Sequence, residues 1–350
     1  MARFGRTGPR LQPAPGSHPR QPLRGVSGVA WEDLFRVEID NVSVVQLDED
    51  SVVLVPSDYE EDPGPVDNQE EPNGREHLSQ RTQLTSDALR VWKTTAVYEH
   101  ITEPHARLVP FKGRDPWTGF PILAKPSGPP LSVFLAEHRS VMYSQPTGAS
   151  ADEGVGRILP QYRPLIYQWA LHLISGLVFI GSHSVVFGDL RTDACWLSQP
   201  GLALSLVGFL DAGFRSPAIS SGTQYNGSSW RDEPFHPLHV PRFQAVVPTV
   251  RTDLFLWGCL VYELMTGLWP GSGSSTPHAQ TQQMLVTRQW PALKEGFWAV
   301  LSKGAGRICM GPVGVMADLV STLEADGFEI DGDDIRGGQF DQLFATVQGE

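Results

Sequence analysis

A chain of 350 residues with 41% hydrophobic side chains can bury a sizeable core, and its length fits one bilobal domain with a tail. The formal net charge of −12 at pH 7 excludes nucleic acid as the expected partner, because phosphate contacts need an excess of Lys and Arg. Cys195, Cys259 and Cys309 stand too far apart for a metal spacing or a disulfide framework, which points to a reducing compartment, cytoplasmic or nuclear.

Residues 1–30 read as a disordered basic, Pro-rich tail. Its five arginines, from Arg3 to Arg24, precede the first acidic residue, Glu32. That bias suits an organelle-targeting signal, but the Pro and Gly content opposes the amphipathic helix such a signal needs. No apolar signal-peptide core is present in these residues. From Trp31 the pattern changes. Three runs at 35–39, 42–47 and 51–55 are rich in β-branched residues and predict strands, the last two joined by the acidic turn 48–50. Pro56 ends the third. Residues 57–81 are acidic and Pro-rich and read as an exposed insertion, either solvated or open to a basic partner.

Ser86 is a candidate helix N-cap with Asp87 beside it, and Leu89, Trp92, Ala96 and Val97 recur at helical spacing, predicting a helix over 86–101. Residues 108–111 and 120–124 predict a hairpin around the turn 115–119. Ser127, Gly128, Pro129 and Pro130 make a sharp joint, a second helix starts over 131–138, and 144–156 is a loop. Leu165, Ile166, Trp169, Leu173, Ile174 and Leu177 then lie on one side of a helix. The run 165–187 is the only membrane candidate, but Gln168, His172, Ser175, Ser182 and His183 interrupt it, and a buried helix followed by a strand is the better reading. Residues 203–210 predict a strand and 215–250 an irregular stretch. The segment 253–266 is apolar all round, so a buried helix is expected there, stopped by Gly267 and Pro270. Further helices are expected over 282–323, and 331–350 reads as an acidic, Gly-rich tail. The expected fold class is therefore α+β, with a small strand-rich half over 31–126 and a larger helical half over 127–330.

Residues 182–198 hold the motif that organises the chain. An apolar helix leads in, a short strand leaves, and Gly188, Asp189, Leu190 and Arg191 form a turn between them. This resembles the catalytic loop of protein kinases. Asp253, Trp257, Gly258, Tyr262, Glu263, Leu264, Thr266, Gly267 and Pro270 are similar at fixed spacing to the kinase motif in which an Asp caps a buried helix and holds that loop from beneath. From residue 35 to about 328 the chain looks like a protein-kinase domain. The resemblance implies a two-lobed fold with its hinge near 124–128. It places Asp189 as general base, Arg191 where a phosphate-facing cation stands, and Asp253 as a structural residue, with Tyr262 and Glu263 as packing and surface residues.

The resemblance keeps the architecture and departs from the chemistry. Phe187 and Gly188 replace the His and Arg before the Asp, and Ala194 stands where an Asn binds Mg²⁺. No glycine occurs between Gly28 and Gly64, where a phosphate-cradling loop belongs. The first lysine is Lys93, on a helix. The strand position that carries the kinase lysine falls near Val55 and Pro56, and the partner glutamate position near Thr94. Lys93 or Lys125, near the hinge, are the displaced substitutes for nucleotide binding. Two registers are open for the second metal ligand: Gly208, Phe209 and Leu210 replace the motif and lose it, or Asp211, Ala212 and Gly213 keep it. The resemblance therefore implies a pseudokinase that binds or regulates another protein, without certain cofactor. The alternative is an ATP- and Mg²⁺-dependent Ser/Thr kinase with Asp189 as base and Asp211 on the metal. No metal site is expected elsewhere, since His236 and His239 lack a third ligand. No membrane association is expected either.

Overall fold

A computed structural model describes residues 36–39, 42–56, 74–116, 118–144, 157–214, 248–270, 311–338, 340 and 342–345. It is a mixed α+β structure whose described residues fall into two compact units. The expectations for 1–30, for most of the insertion 57–81, for 215–247 and for helices between 282 and 310 lie outside the described residues.

Unit 1 draws on the chain up to Pro104, on Val109–Lys125 and on Gly208–Leu210. Strands β1 (Arg36–Ile39), β2 (Val42–Gln46) and β3 (Ser51–Pro56) form an antiparallel meander. All six residues of β3 are buried, which is why its run of valines does not alternate with polar residues. The turn between β2 and β3 is closed by the Leu47 amide donating to the Ser51 carbonyl at 2.9 Å and by the Asp50 amide donating to Asp48 Oδ1 at 2.9 Å. Helix α1 (Gly74–His100) packs on β3. It begins at Gly74, not at Ser86. Residues 75–84 contain Arg, Glu, Leu and Gln, strong helix formers whose polarity makes the segment read as solvated linker. Strands β4 (Phe111–Arg114) and β5 (Pro121–Ala124) complete a five-stranded sheet of order β1-β2-β3-β5-β4. Their hairpin turns on Asp115, whose Oδ1 accepts from the Thr118 amide at 2.8 Å. The first strand of this hairpin starts at Phe111 rather than Leu108, because Leu108 pairs with Leu206 in the other unit.

Unit 2 is built on helices. After α2 (Leu131–Met142), a 3-10 turn at Pro160–Tyr162 opens α3 (Arg163–Ser182). Every residue of α3 from Leu165 to Leu177 is buried, so the expectation of one apolar side is corrected: the helix is enclosed all round. Among the described residues, Pro160–Ser182 is the one stretch long and apolar enough to cross a membrane, and 72% of its most apolar window is buried in the protein. Its apolarity is that of a core helix. Short strands follow: β6 (Val185–Val186), β7 (Cys195–Ser198), β8 (Ala203–Leu206) and β9 (Gly213–Phe214). They pair antiparallel as β6 with β9 and β7 with β8. The strand expected over 203–210 thus ends at Leu206, one residue before the chain passes from Val207 into unit 1 at Gly208.

Helix α4 (Val250–Thr266) packs against α3 and against α5 (Gly311–Ala325). Trp257 Nε1 donates to the Ala170 carbonyl at 3.1 Å, and Trp169 Nε1 donates to that of Leu202 at 2.8 Å, so two buried indoles pin α3 to its neighbours. The α4 N-cap is Thr249, in a reciprocal box with Thr252, and not Asp253. Gly267 ends the helix in the left-handed region, φ 76°. The expected C-terminal tail is folded in part. Strands β10 (Ile330–Asp331) and β11 (Asp334–Ile335) form a hairpin, and Phe344 of α6 (Gln342–Ala345) lies among Phe134, His138 and Tyr162. Buried aromatic rings at 340 and 344 supply the apolar area that a Gly-rich composition hides.

Candidate functional site

In unit 2 the loop from Phe187 to Ala194 joins β6 to β7 through a 3-10 turn, Thr192–Ala194. Its opening residues are held by α4. The Phe187 amide donates to Asp253 Oδ2 at 2.7 Å, and the Gly188 amide donates to Asp253 Oδ1 at 2.8 Å. Because Thr249 and Thr252 satisfy the helix end, the Asp253 carboxylate is left for the loop. Burial pushes the Asp253 carboxyl up to about 7, against the pull of the two N–H donors, and the charge of Asp189 adds to the rise. Gly188 has φ +92°, and a Cβ there would lie 2.2 Å from the Asp211 carbonyl oxygen. Only glycine fits that approach.

Asp189 is buried, 8% exposed, and Arg191 Nε lies 3.5 Å from its Oδ2. The same guanidinium donates to Asp193 Oδ2 at 2.9 Å. Arg191 is thus shared by two carboxylates of its own loop. Ala194 presents a buried methyl, its amide donating to the Arg191 carbonyl at 3.2 Å. Asp211 is 5% exposed. Glu263, expected at the surface, is half-buried on α4. Burial first, then the charge of Asp193, raise its carboxyl to about 7, while Arg191 and Arg139 pull it down.

In unit 1, Thr94 occupies the expected glutamate position. Its hydroxyl accepts from the Phe209 amide at 3.2 Å and donates to the Arg90 carbonyl at 3.2 Å. The ring of Phe209 meets Tyr98 edge-on, with centroids 4.9 Å apart. Helix α1 therefore holds the 208–210 segment by a hydroxyl and a ring. Lys93 is buried on α1. Lys125, considered for a nucleotide, donates from Nζ to Gln46 Oε1 at 3.0 Å, and its amide donates to the Asp50 carbonyl at 2.8 Å, so it closes the edge of the β2–β3 turn. Val55 and Pro56, at the expected lysine position, are buried.

One cluster escaped the sequence reading. Arg107, Gln168, His172, Asp333 and Asp334 converge in unit 2. The signal was the spacing of Gln168, His172 and Ser175, which puts three polar side chains on one face of a buried helix and requires a polar partner. His172, Asp333 and Asp334 present ligand atoms within 4.8 Å of one another, close enough for a cation. Arg107 already neutralises both carboxylates, at 2.6 Å and 2.9 Å, so the donor set does not fit a metal.

These shifts set a pH dependence. Asp253 and Glu263 are raised to about 7 from 3.8 and 4.5, so their stabilisation is complete below about pH 4 and is lost as pH rises through 7. For Asp333 desolvation is the largest single influence and raises the carboxyl, but hydrogen bonds from Arg107 and Ser175 and the charges of Arg107 and His172 together outweigh it and lower the carboxyl to about 2, so its stabilisation is complete above about pH 4 and is lost as pH falls towards 2. Melting temperature is expected to peak between about pH 4 and 6 and to fall towards pH 8. A scan of thermal unfolding from pH 3 to 9 checks this, and a melting temperature still rising from pH 6 to 8 contradicts it.

The chain matches no model of a known protein family, and no curated protein matches it at a significant level.

Proposed function

We propose that the two units are the lobes of a protein-kinase-like fold that has lost phosphoryl transfer, and that the chain acts as a pseudokinase, binding or regulating another protein in the cytoplasm or nucleus. The observation that carries this reading is the commitment of Arg191 to Asp189 and Asp193, beside Ala194 where a metal ligand belongs. A base paired to its own loop, and a methyl in place of an amide, leave the loop without a grip on a phosphate. Thr94 and the Val55–Pro56 stretch repeat the pattern in unit 1. These residues do not fit a magnesium nucleotide. Losing one anchor for transition-state charge costs about 2.7–4 kcal/mol, roughly a hundredfold to a thousandfold in rate. Several such losses need not add.

The end of β8 at Leu206, and the docking of Phe209 on Thr94 and Tyr98, support the register in which Gly208, Phe209 and Leu210 replace the metal motif. The second reading, an ATP-dependent Ser/Thr kinase with Asp189 as base and Asp211 on Mg²⁺, draws on the packing of the Asp211 carbonyl against Gly188, which brings two carboxylate-bearing segments together. Phosphate incorporation from Mg-ATP into the chain itself and into a basic peptide separates the two. The pseudokinase reading expects incorporation no higher than in Asp189→Asn. Incorporation that disappears in Asp189→Asn establishes the second reading instead.

A further inference from the structure

The chain passes between the units at Pro104 to His105, Leu108 to Val109, Lys125 to Pro126, Val207 to Gly208 and Leu210 to Asp211. The short stretch His105–Leu108 therefore dips into unit 2 between two parts of unit 1. In unit 2 it lies along α3. The His105 ring stacks on Phe179 with centroids 4.3 Å apart, and a Cβ on Gly176 would meet Leu206 Cδ1 at 3.1 Å and Arg107 Cβ at 3.5 Å, so Gly176 is where the stretch and β8 approach the helix. The Arg107 carbonyl accepts from the Leu206 amide at 2.9 Å, and that of Ala106 accepts from Ser205 Oγ at 3.1 Å. Leu206 is next to the Val207 to Gly208 passage. The two passages are thus tied by backbone.

The C-terminal hairpin closes over this arrangement. Arg107 grips Asp333 with two hydrogen bonds, Nε to Oδ2 at 2.8 Å and Nη2 to Oδ1 at 2.6 Å, and reaches Asp334 Oδ1 at 2.9 Å. Gln168 reads the hairpin backbone in both senses: Nε2 donates to the Asp333 carbonyl at 3.0 Å and Oε1 accepts from the Ile335 amide at 2.6 Å. His172 Nδ1 accepts from the Leu204 amide at 3.1 Å, which leaves Nε2 to carry the proton and donate to Asp334 Oδ1 at 2.9 Å. Each of these three side chains joins the hairpin to something different: Arg107 to the crossing stretch, Gln168 to α3, His172 to β8. Arg107 and His172 are 5% and 1% exposed. Lifting the hairpin strands a guanidinium and an imidazole whose partners it supplied, so the segments it joins lose their reason to stay closed.

We propose that β10–β11 is a strap on the unit crossings: residues 105–108, 204–206 and 330–336 open and close together, so that the C-terminal hairpin controls the order of a stretch more than 200 residues away in sequence. Control by the strap is expected to be released by whatever removes Asp333 or occupies Arg107.

Native-state hydrogen exchange on the full chain tests this without substitution. The amides of Leu108, Leu204, Leu206, Ile335 and Arg336 are expected to share one opening free energy and one denaturant dependence, below those of α4. Asp333→Asn is expected to speed exchange at all five by about a hundredfold or more while α4 stays protected. Separate openings in the unaltered chain overturn the proposal. So does an Asp333→Asn variant that frees 335 and 336 but leaves 108 and 206 protected, or one that loses protection in α4 equally.

Discussion

Asp253→Ala is expected to lower the stability of the chain by about 2–6 kcal/mol, because it leaves two buried backbone donors, at Phe187 and Gly188, without an acceptor, and each costs about 1–3 kcal/mol. The residue lies within α4, 3% exposed, so water does not replace the carboxylate. Asp253→Asn keeps one acceptor oxygen and points an NH₂ group at the other donor, so its loss is expected to be smaller. The urea midpoint reports both. A loss for Asp253→Ala below about 1 kcal/mol, within the range of a surface substitution, contradicts the claim that this carboxylate holds the loop. The Asn variant also lacks a group that titrates near 7, so its stability is expected to fall less between pH 6 and 8 than that of the unaltered chain.

Gly188→Ala acts one peptide away through sterics alone. The new Cβ would lie 2.2 Å from the Asp211 carbonyl oxygen and 2.9 Å from its carbon, and both are backbone atoms with no rotamer to escape into. The φ of +92° adds strain of about 1–3 kcal/mol for a non-glycine residue. The expected total is about 3 kcal/mol or more, among the larger effects of a single methyl. Either the 187–188 turn or the 211–212 stretch must move, and moving the turn pulls its amides off Asp253. The two substitutions share that structure, so the double variant is expected to lose less than the sum of the singles. Strict additivity in urea denaturation would show that the Asp253 contact and the Asp211 approach are independent.

The strands of unit 1 were legible because dense β-branched runs lie between turn residues, and β3 carries its burial on its face: six residues, none polar apart from Ser51. Helix α4 was legible from apolarity on every side and a glycine stop. Its cap was misread, because Asp253 lies inside the helix and Thr249 does the capping. Residues 74–85 were illegible as helix for a physical reason: few are apolar, so the periodicity that marks an amphipathic helix is faint, and propensity had to decide alone. Two-residue strands such as β6 and β10 carry no period to detect. The Arg107 cluster is the clearest miss. Its partners are 226 residues apart and no local pattern joins them. In sequence, Gln168, His172 and Ser175 interrupt an apolar run, and only their common face marks them as a polar docking strip. At the site, the spacing of Asp189 and Asp253 marked both residues, and the structure shows Asp253 accepting from the amides just before Asp189. The pairing of Arg191 with Asp193 and the close approach of Gly188 to Asp211 needed coordinates, because each depends on where a neighbouring turn directs its atoms.

The proposed loss of phosphoryl transfer requires that the described residues cannot hold a triphosphate and its metal. Calorimetric titration of the full chain with ATP, with and without Mg²⁺, tests it most directly. The expected result is no saturable heat at millimolar nucleotide and no rise in melting temperature, with or without the metal. Saturable binding that needs Mg²⁺, with stabilisation growing by about 2.7 kcal/mol at a hundred times the dissociation constant, would contradict it.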